Sequence, residues 1–140
     1  MAIPIQEIEQ ELVENFSLFD SWDDKYEYLI ELGKKLPALD SSFKTDDYKI
    51  KGCQSSVWVV AKGNKDEVIF DADSDSVIVK GLASLLVQVL SGQKASDIVD
   101  AKLEFIDAIG MNKHLAQTRS NGLLSMIKQV KMYAFALQNS

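Results

Sequence analysis

Cys53 stands in the run Lys51-Gly52-Cys53-Gln54-Ser55-Ser56-Val57-Trp58-Val59-Val60 and is the only cysteine in 140 residues. It has no partner for an intramolecular disulfide. Alone it also falls short of the several ligands that a zinc ion or an iron–sulfur cluster requires. It can serve as a buried apolar residue or as a single reactive thiol. Gly52, which frees the backbone just before it, and the hydroxyl residues Ser55 and Ser56, which follow Gln54, favour the second reading. A free thiol has a pKa near 8.5, so only a small fraction is thiolate at neutral pH. Attack by that thiolate on a carbonyl needs a nearby base and oxyanion donors. Attack on the outer sulfur of a persulfide needs mainly access, because that sulfur is electrophilic and the cysteine thiolate it releases is a good leaving group.

Other candidate groups are few. His114 is the only histidine; paired with Cys53 it would suggest hydrolysis or acyl transfer, and alone it reads as a cap or a packed polar residue. Arg119 precedes Ser120-Asn121-Gly122 at an expected helix start and reads first as a surface residue beside a capping serine. Asp73 and Asp75 read as helix caps, Lys80 as a side chain reaching from an apolar helix to water, and Trp58 as core. The sequence has no glycine-rich phosphate loop and no metal-ligand cluster. No bound cofactor and no metal are expected.

The elements that must position these groups follow from apolar spacing. Ile5, Ile8, Leu12 and Phe16 predict a first helix. Ser21 predicts the cap of a second, with Asp23 and Asp24 at its positive end, Lys34 and Lys35 at its negative end, and Pro37 as its stop. Tyr48 to Lys51 reads as a short strand and Ser55 to Lys62 as a better one. Gly63-Asn64-Lys65-Asp66 reads as a turn, and Glu67 to Asp71 as the hairpin partner. Asp73-Ser74-Asp75-Ser76 then caps a strongly apolar helix running from Val77 to Val89 across the sheet and ending at Ser91-Gly92. Ser96 predicts the cap of a short helix, and Leu103 to Ile109 another, broken by Gly110. Met111 to Gly122 reads as polar and irregular. Leu123, Ile127, Val130, Ala134 and Leu137 predict a last helix. The order of helices, antiparallel hairpin and helices predicts an α+β fold, in one domain spanning 1–140.

Composition narrows the function classes. The hydrophobic fraction is 46% and the charged fraction 26%, as in a folded globular chain. No apolar run approaches the roughly 20 residues of a membrane span, and no secretory signal is visible. With a lone cysteine, the expected setting is the cytoplasm. The net charge is −6 and the isoelectric point about 4.7. No basic cluster would track a phosphate backbone, so neither nucleic acid nor membrane is an expected partner, while a basic protein partner suits the acidic balance.

Four blocks, in order, resemble the SufE family, sulfur-acceptor partners of cysteine desulfurases. They are Trp22 to Pro37, the Gly52-Cys53-Gln54-Ser55 loop, Asp73-Ser74-Asp75 with the helix that follows, and His114-Leu115 with Arg119-Ser120-Asn121-Gly122-Leu123. One departure is Ser56, where many members carry Gln. The resemblance implies a small antiparallel sheet flanked by helices, shared with IscU-type scaffold proteins. It also implies that Cys53 accepts persulfide sulfur from a pyridoxal-phosphate-dependent, SufS-like desulfurase, stimulates that enzyme, and passes the sulfur to a SufBCD-like iron–sulfur scaffold complex. The protein would be a carrier rather than a stand-alone enzyme. Gly52, Gln54, Ser55, Asp75, Arg119 and His114 match motif positions; Asp75 and Arg119 are tied to the acceptor loop and partner surface, and the roles of His114 and Lys80 stay open. The alternatives are a CsdE-like paralogue feeding other sulfur-transfer pathways and, less favoured, a Cys-dependent hydrolase using Cys53 and His114. A carrier is expected to rest its thiol against apolar residues and to swing it outward at Gly52.

Overall fold

The computed structural model of the chain describes residues 3–52 and 55–139. Helix α1 (Ile5–Ser17) buries Ile5, Leu12 and Phe16, and α2 (Trp22–Lys34) buries Leu29, Leu32 and Gly33. Ser21 caps α2 as its sequence predicts, its hydroxyl accepting the Asp24 N–H at 3.2 Å. A short 3-10 turn (Ser41–Phe43) interrupts the connector that follows. Strands β1 (Val57–Asn64) and β2 (Glu67–Ser74) pair antiparallel from Val57↔Ser74 to Asn64↔Glu67.

The hairpin is longer than its sequence predicts. Gly63 and Asn64 are the last residues of β1, and only Lys65-Asp66 turn. Gly63 has φ +98°, and a Cβ there would lie 2.2 Å from the Glu67 carbonyl oxygen. The Asn64 Oδ1 accepts the Asp66 and Glu67 N–H groups at 2.9 and 3.2 Å, so the turn is closed by a local side chain. Along the other edge of β1, the Ile50 N–H donates to the Val57 carbonyl (2.8 Å) and the Val59 N–H to the Tyr48 carbonyl (3.1 Å). The expected short strand is thus a minimal third rung, centred on the Lys49↔Trp58 bridge.

Val57, Val59, Val68, Phe70 and Ala72 turn one face of the hairpin into the core. Helix α3 (Val77–Leu90) covers that face and is buried along most of its length. It crosses α2 at two glycines: a Cβ on Gly81 would sit 2.5 Å from the Leu29 carbonyl oxygen, and one on Gly33 would sit 2.8 Å from the Gly81 nitrogen. At the same crossing the Ser84 hydroxyl donates to the Leu32 carbonyl at 3.0 Å. Ser76 caps α3; Asp73, by contrast, belongs to β2.

Helices α4 (Ala95–Asp100), α5 (Phe105–Ile109) and α6 (Met111–His114) follow. The cap position of α4 is Lys94, so Ser96 lies inside that helix. Gly110, at φ +89°, ends α5. The last helix, α7 (Gln117–Gln138), begins six residues before the expected Leu123. Its polar first turns face water, which is why they carry no apolar period. Gly122, Leu123, Met126, Val130 and Ala134 form its buried side. Among the described residues the architecture is a two-stranded antiparallel sheet with helices around it, the expected α+β fold.

Candidate functional site

Lys51, Gly52, Ser55 and Ser56 stand outside the strands, between two paired residues. These two, Ile50 and Val57, are joined by the Ile50 N–H to Val57 carbonyl bond. Gly52 has φ +89°, a conformation that L side chains rarely adopt, and a Cβ there would meet the Ser125 Oγ of α7 at 3.0 Å. Ser55 is half-buried. Cys53 and Gln54, with the expectation that the thiol rests against apolar residues, lie outside the described residues.

The far end of the loop is fastened to the β2–α3 junction. The Ser56 N–H donates to Asp75 Oδ1 at 3.1 Å, and the Asp75 N–H donates back to the Ser56 carbonyl at 3.1 Å. The Ser74 hydroxyl adds a 2.8 Å bond to that same carbonyl. Asp75 therefore holds the loop rather than capping α3. Both backbone groups of Ser56 are satisfied by one neighbour, which fixes where the loop ends even though Asp75 itself is exposed.

Beneath this junction, where the sequence predicts a helix cap and a solvated lysine, lies a buried carboxylate held by two lysines. Asp73 is buried, at 6% exposure. Its carboxylate meets Lys44 at 3.1 Å and Lys80 at 3.3 Å and accepts the Ser74 N–H at 2.8 Å. Burial pushes its carboxyl up, but the Lys44 and Ser74 hydrogen bonds and the Lys80 charge together hold it below its ordinary value of 3.8. Lys80 thus reaches an ion pair, not simply water. Lys44 also lies 5.6 Å over the Trp58 ring. The alternation of β2 places Asp73 on the face opposite Phe70 and Ala72, so nothing in the sequence marks it as buried; the connector carrying Lys44 covers it.

His114 belongs to a different cluster. Its ring stacks on Trp22 at 3.9 Å with a 17° interplanar angle, and its carbonyl accepts the Tyr26 hydroxyl. Both of these contacts are with α2. Arg119 is exposed in the first turn of α7, where Ala116 occupies the cap position and Ser120 lies inside the helix. The structure thus joins Ser56 to Asp75, sets Gly52 against Ser125, and leaves His114 with the aromatic residues of α2. Among the described residues, no group of three or more His, Cys, Asp or Glu is placed to hold a metal.

Residues 10–134 match the family profile described as "SufE: Fe-S metabolism associated domain". The chain belongs to the SufE family. A SufE-like protein of Rhizobium meliloti is 39% identical over 129 residues, which is 89% of this chain and 92% of that protein. One from Rhizobium etli is 39% identical over 126 residues, covering 86% of this chain and 85% of that one. SufE-like protein 1 of Arabidopsis thaliana, named as chloroplastic/mitochondrial, is 42% identical over 139 residues, but this chain spans only 38% of its length. The solution structure of a hypothetical protein from Thermus thermophilus superposes with a TM-score of 0.79, covering 99% of this chain and 100% of that one. At 18% identity that likeness shows the shared fold alone. Membership of the SufE family supports a sulfur-transfer role in iron–sulfur metabolism. No described helix is long and apolar enough to cross a membrane.

Proposed function

We propose that this SufE-family chain acts as one domain over 1–140, with Cys53 as the sulfur acceptor. The Cys53 thiolate attacks the outer sulfur of a persulfide carried by a pyridoxal-phosphate-dependent cysteine desulfurase. The new bond joins that sulfur to Cys53, the old sulfur–sulfur bond breaks, and the donor cysteine leaves as a thiolate, with no net oxidation. Cys53 then hands the sulfur to an iron–sulfur scaffold complex, and docking stimulates the desulfurase. The supporting observation is the loop itself: the only thiol of the chain lies between Gly52 and Ser56, in a segment fastened at Ile50–Val57 and at Asp75. Such a loop presents one nucleophile from a fixed base.

Asp75 and Arg119 serve this reading as loop anchor and partner contact, with Gln54 and Ser55 completing the presented segment. The stacking of His114 on Trp22 counts against a Cys53–His114 hydrolase. A paralogous acceptor feeding other sulfur-transfer pathways would use the same loop. A cytoplasmic setting fits a lone thiol that must stay reduced between transfers, although the Arabidopsis relative carries an organellar name.

The test is intact mass after incubation with a cysteine desulfurase, pyridoxal phosphate and free cysteine. The expected result is a gain of one sulfur atom, absent in Cys53→Ser and reversed by reductant. No gain with a desulfurase that demonstrably binds the chain overturns the acceptor reading.

A further inference from the structure

Helix α7 carries Arg119, Lys128 and Lys131 and not one Asp or Glu along its 22 residues, in a chain of net charge −6. The acids concentrate elsewhere, as with Glu7, Glu11 and Glu14 on α1 and Asp23, Glu27 and Glu31 on α2. The solvent side of α7 is also apolar. Leu124, Met132 and Phe135 are 64%, 55% and 59% exposed. With Lys128 between them, their spacing places them on one stripe of the helix. Single exposed apolar residues are ordinary, but three large ones on one helix face mark a contact surface.

The stripe is continuous with the neighbourhood of the acceptor loop. Lys128 and Met132 help wall a groove of about 500 Å³ whose other side is Asp46, Lys49 and Lys51. Ser125, the residue facing Gly52, lines the same groove. Its three lysines outnumber its two aspartates, the reverse of the balance in the chain as a whole.

We infer that the α7 stripe and this groove dock an acidic amphipathic segment of the desulfurase. Its apolar residues seat on Met132 and Phe135, and its carboxylates face Lys128, Lys49 and Lys51. This is the helix-in-groove mode of recognition, with charge setting orientation. The inference rests on the acceptor reading above and names the surface that holds the donor while sulfur is delivered. An anionic lipid surface would also favour a basic apolar helix, but the acids of α1 and α2 repel it.

Calorimetric titration of a purified pyridoxal-phosphate cysteine desulfurase into the full chain, in a Cys53→Ser background that prevents transfer, tests the inference. Phe135→Asp is expected to weaken the dissociation constant about tenfold or more, as loss of an apolar anchor does, and Lys128→Glu to weaken it several-fold. Leu18→Asp, at a residue 78% exposed in the α1–α2 turn, is expected to change nothing. Urea midpoints within error of the parent confirm that the variants fold. Unchanged affinity in both α7 variants overturns the docking surface while leaving the acceptor reading standing. A parent chain that neither binds the desulfurase nor gains sulfur overturns both. Co-sedimentation with phosphatidylglycerol–phosphatidylcholine vesicles, abolished by Phe135→Asp while desulfurase affinity is unmoved, overturns the inference in favour of lipid.

Discussion

Asp73 ties three pieces of chain together: the connector through Lys44, the start of α3 through Lys80, and the junction that anchors the loop through the Ser74 N–H. A carboxylate taken out of water is stabilising only when such partners surround it. Both lysines keep access to solvent, at 38% and 26% side-chain exposure, so removing the carboxylate does not strand two buried charges. Asp73→Asn is therefore expected to cost about 2 kcal/mol at neutral pH, the scale of a few charge-assisted hydrogen bonds. The sign of the pH dependence follows from the direction of the shift. The folded carboxyl lies below its ordinary value of 3.8, so the contribution is full above that value and is lost as pH falls through the lower, folded one. Urea titrations of parent and variant should differ most at neutral pH and converge under acid. A gap that persists at low pH would mean that Asp73 acts through shape rather than charge.

The α2–α3 crossing is a close joint, because Gly33 and Gly81 let two backbones meet where side chains would normally intervene. Alanine is a better helix former than glycine by about 1 kcal/mol, yet a Cβ on Gly81 would stand 2.5 Å from the Leu29 carbonyl oxygen. The obstacle is backbone, so the helices must separate, at a typical overpacking cost of about 1–3 kcal/mol that outweighs the propensity gain. Gly81→Ala should lower the urea midpoint. Adding Gly33→Ala should cost less than the sum of the two single changes, since one separation accommodates both methyl groups; strict additivity would argue against a shared joint. Much of this frame was legible in the sequence because its determinants are local. The caps at Ser21 and Ser76, the apolar period of α1 and α3, and the break at Gly110 each act within a few residues. Ser96 and Ser120 have the same chemistry but lie inside helices, since neighbouring elements decided where those helices start. The beginning of α7 and the burial of Asp73 escaped for the same reason: each depends on a segment distant in sequence covering it, or failing to. At the site, Gly52 and Cys53 stood out by residue type, whereas Asp75 read as a helix cap and was tied to the loop only by the family resemblance. That Asp75 grips Ser56, and that Ser125 faces Gly52, could be seen only once β2, α3 and α7 were placed around the loop.

Charge is distributed unevenly across the molecule, and this sets how it meets a partner. α1 and α2 bear a dense run of carboxylates, whereas α7 and the neighbouring Lys49 and Lys51 present cations beside Gly52. A partner with an acidic contact segment is therefore pushed from one side and drawn to the other, so that encounters are oriented before contact. Between exposed charges this steering reaches about one Debye length, roughly 8–10 Å at physiological salt, and collapses at high salt. Stopped-flow association of the chain with a cysteine desulfurase should show an association rate constant that falls several-fold from low to high ionic strength. The dissociation rate, governed by the apolar seat on Met132 and Phe135, should change little. Lys128→Glu should flatten that salt dependence, because it removes a cation from the attracting side. If salt instead speeds association, the net repulsion of two acidic proteins dominates, and the cations near the loop are too few to orient the encounter.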